Sequence, residues 1–146
     1  MGSEPVCYLE TQTTNICRSV FQLRNALVAK LDSTLEACGV TAAQYGVLIN
    51  LVELQSATPA QLCESLAYDK GAMSRMLKRL ECKSLIYRAS QPDGRSFVVA
   101  LTAQGISQFT QAQKCVTQVF DCCLASIEPQ DRDLLQQVLS IAIKSL

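Results

Sequence analysis

Residues 58–105 read TPAQLCESLAYDKGAMSRMLKRLECKSLIYRASQPDGRSFVVALTAQG. Thr58-Pro59-Ala60-Gln61 has the form of a capping box with proline at the first helical position, so a short helix starts there and ends near Leu66. Asp69 is a suitable N-cap for a second helix over about Lys70 to Cys82. Ile86–Ser90 and Phe97–Leu101 are rich in β-branched and aromatic residues and read as strands. Pro92-Asp93-Gly94-Arg95 between them is strong turn chemistry. The order helix, helix, strand, turn, strand is that of a helix-turn-helix with a β-wing, an arrangement that holds a helix in the major groove of DNA.

Placing residues 70–82 at 100° intervals separates two faces. Met73, Met76, Leu77 and Leu80 gather on one side and Lys70, Gly71, Ser74, Arg75 and Lys78 on the other. The first set is a core stripe. The second combines small residues, which permit close approach, with long cations. Ser74 and Arg75 are expected to reach base edges, since arginine pairs bidentately with guanine and serine with several bases. Lys70, Lys78 and Arg79 are expected to grip phosphates, which positions a protein without specifying sequence. Arg95 at the turn tip is placed to enter a minor groove, and Asp93, two residues earlier, to orient its guanidinium.

Outside this stretch the chain is helical. Ile16, Val20, Leu23, Leu27, Leu31 and Leu35 recur at helical spacing within about Glu10 to Ala37, and Gly39 is a stop signal. Thr41-Ala42-Ala43-Gln44 is a second capping box, opening a helix expected to turn Tyr45, Leu48, Ile49 and Val52 inward. Thr102 should cap a long helix to about Ala125, and Pro129 opens a last one. The expected fold class is mainly α with a small β-wing. One domain spans 1–146, with the winged helix at 41–101 and dimerisation helices at 6–38 and 102–146. The terminal helices carry more apolar surface than a winged helix needs, which implies a partner, most simply a second copy of the chain.

The 146 residues suffice for one core, and 49% hydrophobic content is ordinary for a globular protein. The net charge is zero, but residues 70–95 hold seven cations against two anions, +5, leaving −5 for the rest. A basic patch on a neutral chain suits a specific DNA reader. No apolar run reaches membrane-spanning length and no signal-peptide pattern opens the chain, so no membrane partner and a cytoplasmic location are expected. Val6 stands where a myristoylation motif wants Ser or Thr. Eight cysteines occur, at 7, 17, 38, 63, 82, 115, 122 and 123, with no histidine and no Cys-x-x-Cys pair. Zinc frameworks are therefore missing, no metal or cofactor is expected, and no Ser-His or Cys-His nucleophile can be assembled for an enzyme. Most of the thiols read as small core hydrophobes. Cys123 shares the stripe of Phe109, Val116 and Phe120 and reads as core, whereas Cys122 falls off it.

Asp93-Gly-Arg-Ser96 followed by Leu101-Thr-Ala-Gln-Gly105 resembles the wing signature D-x-R-S…L-T-x-x-G of the MarR family of transcriptional regulators. Asp69-Lys-Gly-Ala-Met-Ser-Arg75 with Leu80-Glu81 resembles its recognition helix, and the resemblance runs from about Cys17 to the C-terminus. It implies a winged-helix homodimer on a pseudo-palindromic operator in double-stranded DNA, usually a repressor released by a small molecule or by cysteine oxidation. Organic-hydroperoxide sensors of the OhrR type within the family place a reactive cysteine 27 residues before the Gln of a Thr-x-x-Gln-Tyr motif. Cys17 stands 27 residues before Gln44. The tyrosines of such sensors are replaced here by Leu31 and Ala42. The two-cysteine version implies Cys122 of the partner subunit as the resolving thiol. Three triggers stay open at this stage: oxidation through Cys17 and Cys122, a small aromatic or lipophilic ligand in a pocket lined by Phe21 and Tyr45, and a soft metal or persulfide held by thiolates alone.

Overall fold

A computed structural model describes residues 11–146. Residues 6–10 of the expected N-terminal dimerisation helix, with Val6 and Cys7, lie outside the described residues. Six helices and three short strands follow in the order α1 (Gln12–Leu35), α2 (Ala42–Leu54), β1 (Ser56–Ala57), α3 (Pro59–Leu66), α4 (Lys70–Cys82), β2 (Ile86–Ser90), β3 (Phe97–Leu101), α5 (Ala103–Leu124) and α6 (Pro129–Lys144). A 3-10 turn, Glu36–Cys38, closes α1, and Gly39 follows in the left-handed region at φ 66°. The mainly helical class with a small wing is as the sequence indicates.

Local side-chain chemistry sets the element starts. Thr41 and Thr58 each accept from the backbone N–H three residues on, while Gln44 and Gln61 bond back to the cap backbone. Asp69 accepts from the Ala72 N–H at 2.8 Å and opens α4. Thr102 accepts from Gly105 N–H at 2.9 Å and donates its hydroxyl to the Ser84 carbonyl at 2.6 Å, tying the start of α5 to the loop before β2. β2 and β3 pair antiparallel from Ile86↔Leu101 to Ser90↔Phe97. β1, which the sequence reading does not include, pairs with the other edge of β3 through Ser56↔Ala100 and Ala57↔Val99. Two residues carry no periodicity to detect.

The core lies where α2, α3, α4 and α5 meet the sheet. Leu35, Leu48, Leu51, Leu62, Met73, Leu77, Leu80 and Val99 are all essentially solvent-free. Three inward assignments need correction. On α2, Leu48 is buried, Tyr45 and Ile49 are half-buried, and Val52 is exposed, its place taken by Val47 and Leu51. Cys123 is exposed rather than core, because the α5 residues facing this protomer's interior are Gly105, Phe109, Ala112 and Val119. Of the seven described cysteines, Cys38, Cys63 and Cys115 are half-buried against the core, while Cys17, Cys82, Cys122 and Cys123 are exposed, so core filling accounts for three of them.

Both chain ends leave apolar residues in solvent. On α1, Ile16, Val20, Phe21 and Leu23 are at least half exposed, although the helix packs on α5. Leu134, Val138 and Ile141 form an exposed stripe along α6.

Candidate nucleic-acid interface

The turn between α3 and α4 is three residues long, Ala67 to Asp69, as a helix-turn-helix requires. Ala67 takes the left-handed conformation at φ 53°, and its N–H closes α3 on the Cys63 carbonyl. Met73, Leu77 and Leu80 anchor α4 from beneath, with Met76 half-buried beside them. Lys70, Gly71, Ser74, Arg75, Lys78 and Arg79 all stand in solvent on the opposite face. The helical-wheel division of this segment therefore holds in three dimensions.

Two clefts flank α4 and sort these residues. One, of about 530 Å3, lies between α3, α4 and the wing and is lined by Lys70, Ser74, Arg88, Arg95 and Phe97 among others. Recognition-helix and wing residues thus face one space. The other cleft, of about 620 Å3, is lined by Gln44, Arg75, Lys78, Arg79, Cys82 and Lys83. The first brings Lys70, Ser74 and Arg95 together. Arg75, Lys78 and Arg79 sit on the adjoining flank.

The seven cations of the window are not equivalent. Arg88 pairs with Glu81 at 3.1 Å and lies over the Phe97 ring, 4.7 Å from its centroid. Lys83 donates to the Gly39 carbonyl at 2.6 Å and to Gln44 Oε1 at 3.0 Å, satisfying the one buried polar side chain of α2. Lys70, Arg75, Lys78, Arg79 and Arg95 make no ion pair among the described residues. The sequence window does not separate committed from uncommitted cations, since Lys83 reaches partners about forty positions away.

Asp93 acts differently from expectation. Its carboxylate accepts from the backbone N–H groups of Arg95 and Ser96, each at 2.9 Å, and from the Ser96 hydroxyl at 2.6 Å. It closes the turn rather than orienting the Arg95 guanidinium, because the amides two and three residues on are nearer. Gly94 adopts φ 66° and donates to the Gln91 carbonyl at 2.9 Å. The Ser96 hydroxyl and the two amides hold the Asp93 carboxyl below its ordinary value. Arg95 is left exposed at the tip.

A sequence model described as "MarR family" matches residues 39–96, from the α1–α2 corner to the wing. The multiple antibiotic resistance protein MarR of Escherichia coli K12 is 37% identical over 89 residues, 60% of this chain and 62% of that protein. Over this stretch the chain is similar to the MarR family. The organic hydroperoxide resistance transcriptional regulator of Bacillus subtilis is 31% identical over 91 residues, 62% of each protein. The matched stretch spans under two thirds of these curated relatives. The fold extends further. A mutant of E. coli MarR crystallised with operator DNA superposes with a TM-score of 0.80 at 25% identity, covering 91% of this chain and 99% of that one.

The three trigger sites fare unequally. Cys17 and Cys122 are both exposed, on α1 and α5. Tyr45 is half-buried and stacks on Phe109 with centroids 5.5 Å apart and rings 9° from parallel, while Phe21 is exposed on α1. Among the described residues no three His, Cys, Asp or Glu side chains converge as a metal site would need. No single described helix is long and apolar enough to cross a membrane.

Proposed function

We propose that this chain is a regulator of the MarR family, a sequence-specific DNA-binding transcriptional regulator and not an enzyme, acting as a homodimer on a pseudo-palindromic operator. The observation that carries this is the cationic outer face of α4 sharing a cleft with the wing-tip Arg95. Ser74 and Arg75 read bases, Lys70, Lys78 and Arg79 hold phosphates, Gly71 lets the helix approach, Arg95 enters the minor groove and Asp93 keeps its turn closed. The operator-bound relative supports the same mode for this chain. Segments 6–38 and 102–146 supply the dimer contacts, and repression follows from occupying a promoter. Selecting binding sites from a random duplex library tests the reading. A palindromic consensus with half-sites about 10 bp apart is expected, and recovery of no consensus overturns it.

Cysteine oxidation is the favoured control. Cys17 and Cys122 are exposed on α1 and α5, so a bond from Cys17 to Cys122 of the partner subunit would change how two recognition helices are spaced. Peroxide should then produce a reducible covalent dimer that the Cys17→Ser and Cys122→Ser variants fail to form. If those variants still form it, the pair is wrong. A second reading, release by a small lipophilic ligand, draws on the cleft between α3, α4 and the wing, where an occupant would sit against Ser74 and Arg95.

A further inference from the structure

Cys38 ends the 3-10 turn after α1, and Cys115 lies in the middle of α5, 77 positions later. Their Sγ atoms are 3.7 Å apart. Each is half-buried. The corner that carries Cys38 is already seated on α5, for Gln108 donates its side-chain amide to the Cys38 carbonyl. Cys115 also lines a groove of about 500 Å3 between α1 and α5, together with Leu27, Thr34 and Cys122. A small reagent can therefore reach it from the groove.

We propose that Cys38 and Cys115 of one protomer are an oxidisable dithiol which a hydroperoxide converts to an intrachain disulfide, stapling the α1–α2 corner to α5. Bond formation needs the sulfurs to close from 3.7 Å to about 2.05 Å, within the reach of side-chain rotation and a small shift of the corner. No other cysteine of α5 competes for Cys115 within its own protomer. Cys122 is two helical turns away, a rise of about 10.5 Å, beyond disulfide reach. Burial, the hydrogen bond with Cys115 and the nearness of that second thiol push the Cys38 thiol up, and the groove opens onto Cys115, so the first attack falls to Cys115.

The chemistry balances in two steps. The Cys115 thiolate attacks a peroxide oxygen, the O–O bond breaks, and the alkoxide leaves as alcohol with a proton from solvent, giving a sulfenic acid. Cys38 sulfur then attacks Cys115 sulfur, the S–O bond breaks, and hydroxide leaves as water with the Cys38 proton. Two thiols lose two electrons and the hydroperoxide gains them. The same corner reaches the recognition helix, because the Gly39 carbonyl, next to Cys38, accepts from Lys83 at the end of α4. Tightening the corner against α5 therefore displaces the support of α4.

The inference depends on the DNA reading for one readout only. The reduced full-length chain would be treated with cumene hydroperoxide, quenched with N-ethylmaleimide and mapped by mass spectrometry without reduction. The expected result is a monomer that takes up two fewer N-ethylmaleimide groups than the untreated chain, with Cys38 and Cys115 peptides linked. The link should persist in Cys17→Ser/Cys122→Ser and vanish in Cys38→Ser. Parent protein in which peroxide modifies other thiols but never links these two overturns the proposal, and that reading needs no variant to fold. On an operator that the reduced chain binds, the linked monomer form of Cys17→Ser/Cys122→Ser should bind at least about fivefold more weakly, the low end of ordinary allosteric coupling. Equal affinity overturns the coupling to α4. Failure of the reduced chain to bind any duplex bears on the DNA reading alone and leaves the peptide map to judge the thiols.

Discussion

Gly46 and Gly105 both lie within helices, and replacing each by alanine should move stability in opposite directions. By helix propensity alone both substitutions stabilise, by up to about 1 kcal/mol. At Gly46, in α2, a Cβ would meet only Leu66 Cδ2 at 3.5 Å, an ordinary contact. At Gly105, in the first turn of α5, it would collide with the Leu85 carbonyl oxygen and lie 3.0 Å from the Leu85 carbonyl carbon. A carbon normally keeps about 3.3 Å or more from a carbonyl oxygen. The Leu85 backbone must therefore move, and its carbonyl also accepts from Thr102 N–H at 3.0 Å. Overpacking costs about 1–3 kcal/mol, and loosening that bond costs about 1 kcal/mol. After the propensity gain, Gly105→Ala should lose about 2 kcal/mol. For a domain of this size that is about 6 °C in melting temperature. Thermal melts by circular dichroism at equal protein concentration measure it. The reasoning is refuted if Gly105→Ala melts at or above the parent, or if both variants shift the same way. The motif glycine Leu-Thr-x-x-Gly is thus explained by the close passage of α5 over the strand that enters the wing.

Arg75→Ala should weaken operator binding and relax sequence preference, whereas Arg95→Ala should lower affinity across sequences; competition gel shifts with single-base operator variants separate the two, and unchanged binding by both defeats the interface. Asp93 titrates below the ordinary aspartate value, so the hold it gives the turn is fully present above the unfolded-state value and is lost only as pH falls through its lower folded value. The Arg95 and Ser96 amide resonances should therefore shift below the pH at which a free aspartate titrates, and a midpoint at or above it contradicts the bonding described. Leu134→Lys/Ile141→Lys should yield a helical monomer with poor operator affinity, read by sedimentation; an intact dimer would show that the α6 stripe is not an interface.

The winged helix was legible because its signals are local. Caps at Thr58, Asp69 and Thr102 lie within three residues of the amides they satisfy, and the turn at Asp93-Gly94 fixes the β2–β3 register. What escaped the sequence depends on distant partners. β1 exists only because β3 offers it an edge. Val52 falls on an apolar stripe, yet α2 turns Val47 and Leu51 inward instead, since the stripe does not reveal which side meets α5 and the sheet. The same ambiguity misplaced Cys123. The Cys38–Cys115 pair has no sequence signature at all, as 77 positions separate two residues that the fold sets side by side. Asp93 was assigned the correct neighbourhood and the wrong bond, because spacing alone does not rank a guanidinium against a backbone amide.

The division of cations in residues 70–95 leads to a test that distinguishes a DNA contact from a structural one. Each phosphate neutralised on duplex DNA contributes about −0.9 to the slope of log affinity against log salt. A dimer presents each contact twice, so Lys78→Ala should flatten the slope by about 2 while leaving the melt unchanged. Lys83 is a cation in the same window and lines the same cleft as Lys78, so charge counting predicts the same result for it. Its ammonium is instead held by the Gly39 carbonyl and by Gln44 Oε1 in the buried side of α2. Lys83→Met keeps the length of the side chain and removes both bonds. It should destabilise the fold by about 1–2 kcal/mol, and the salt slope of the protein that remains folded should match the parent. If Lys83→Met instead flattens the slope with no change in the melt, Lys83 is a phosphate contact and the corner it supports is not held as described.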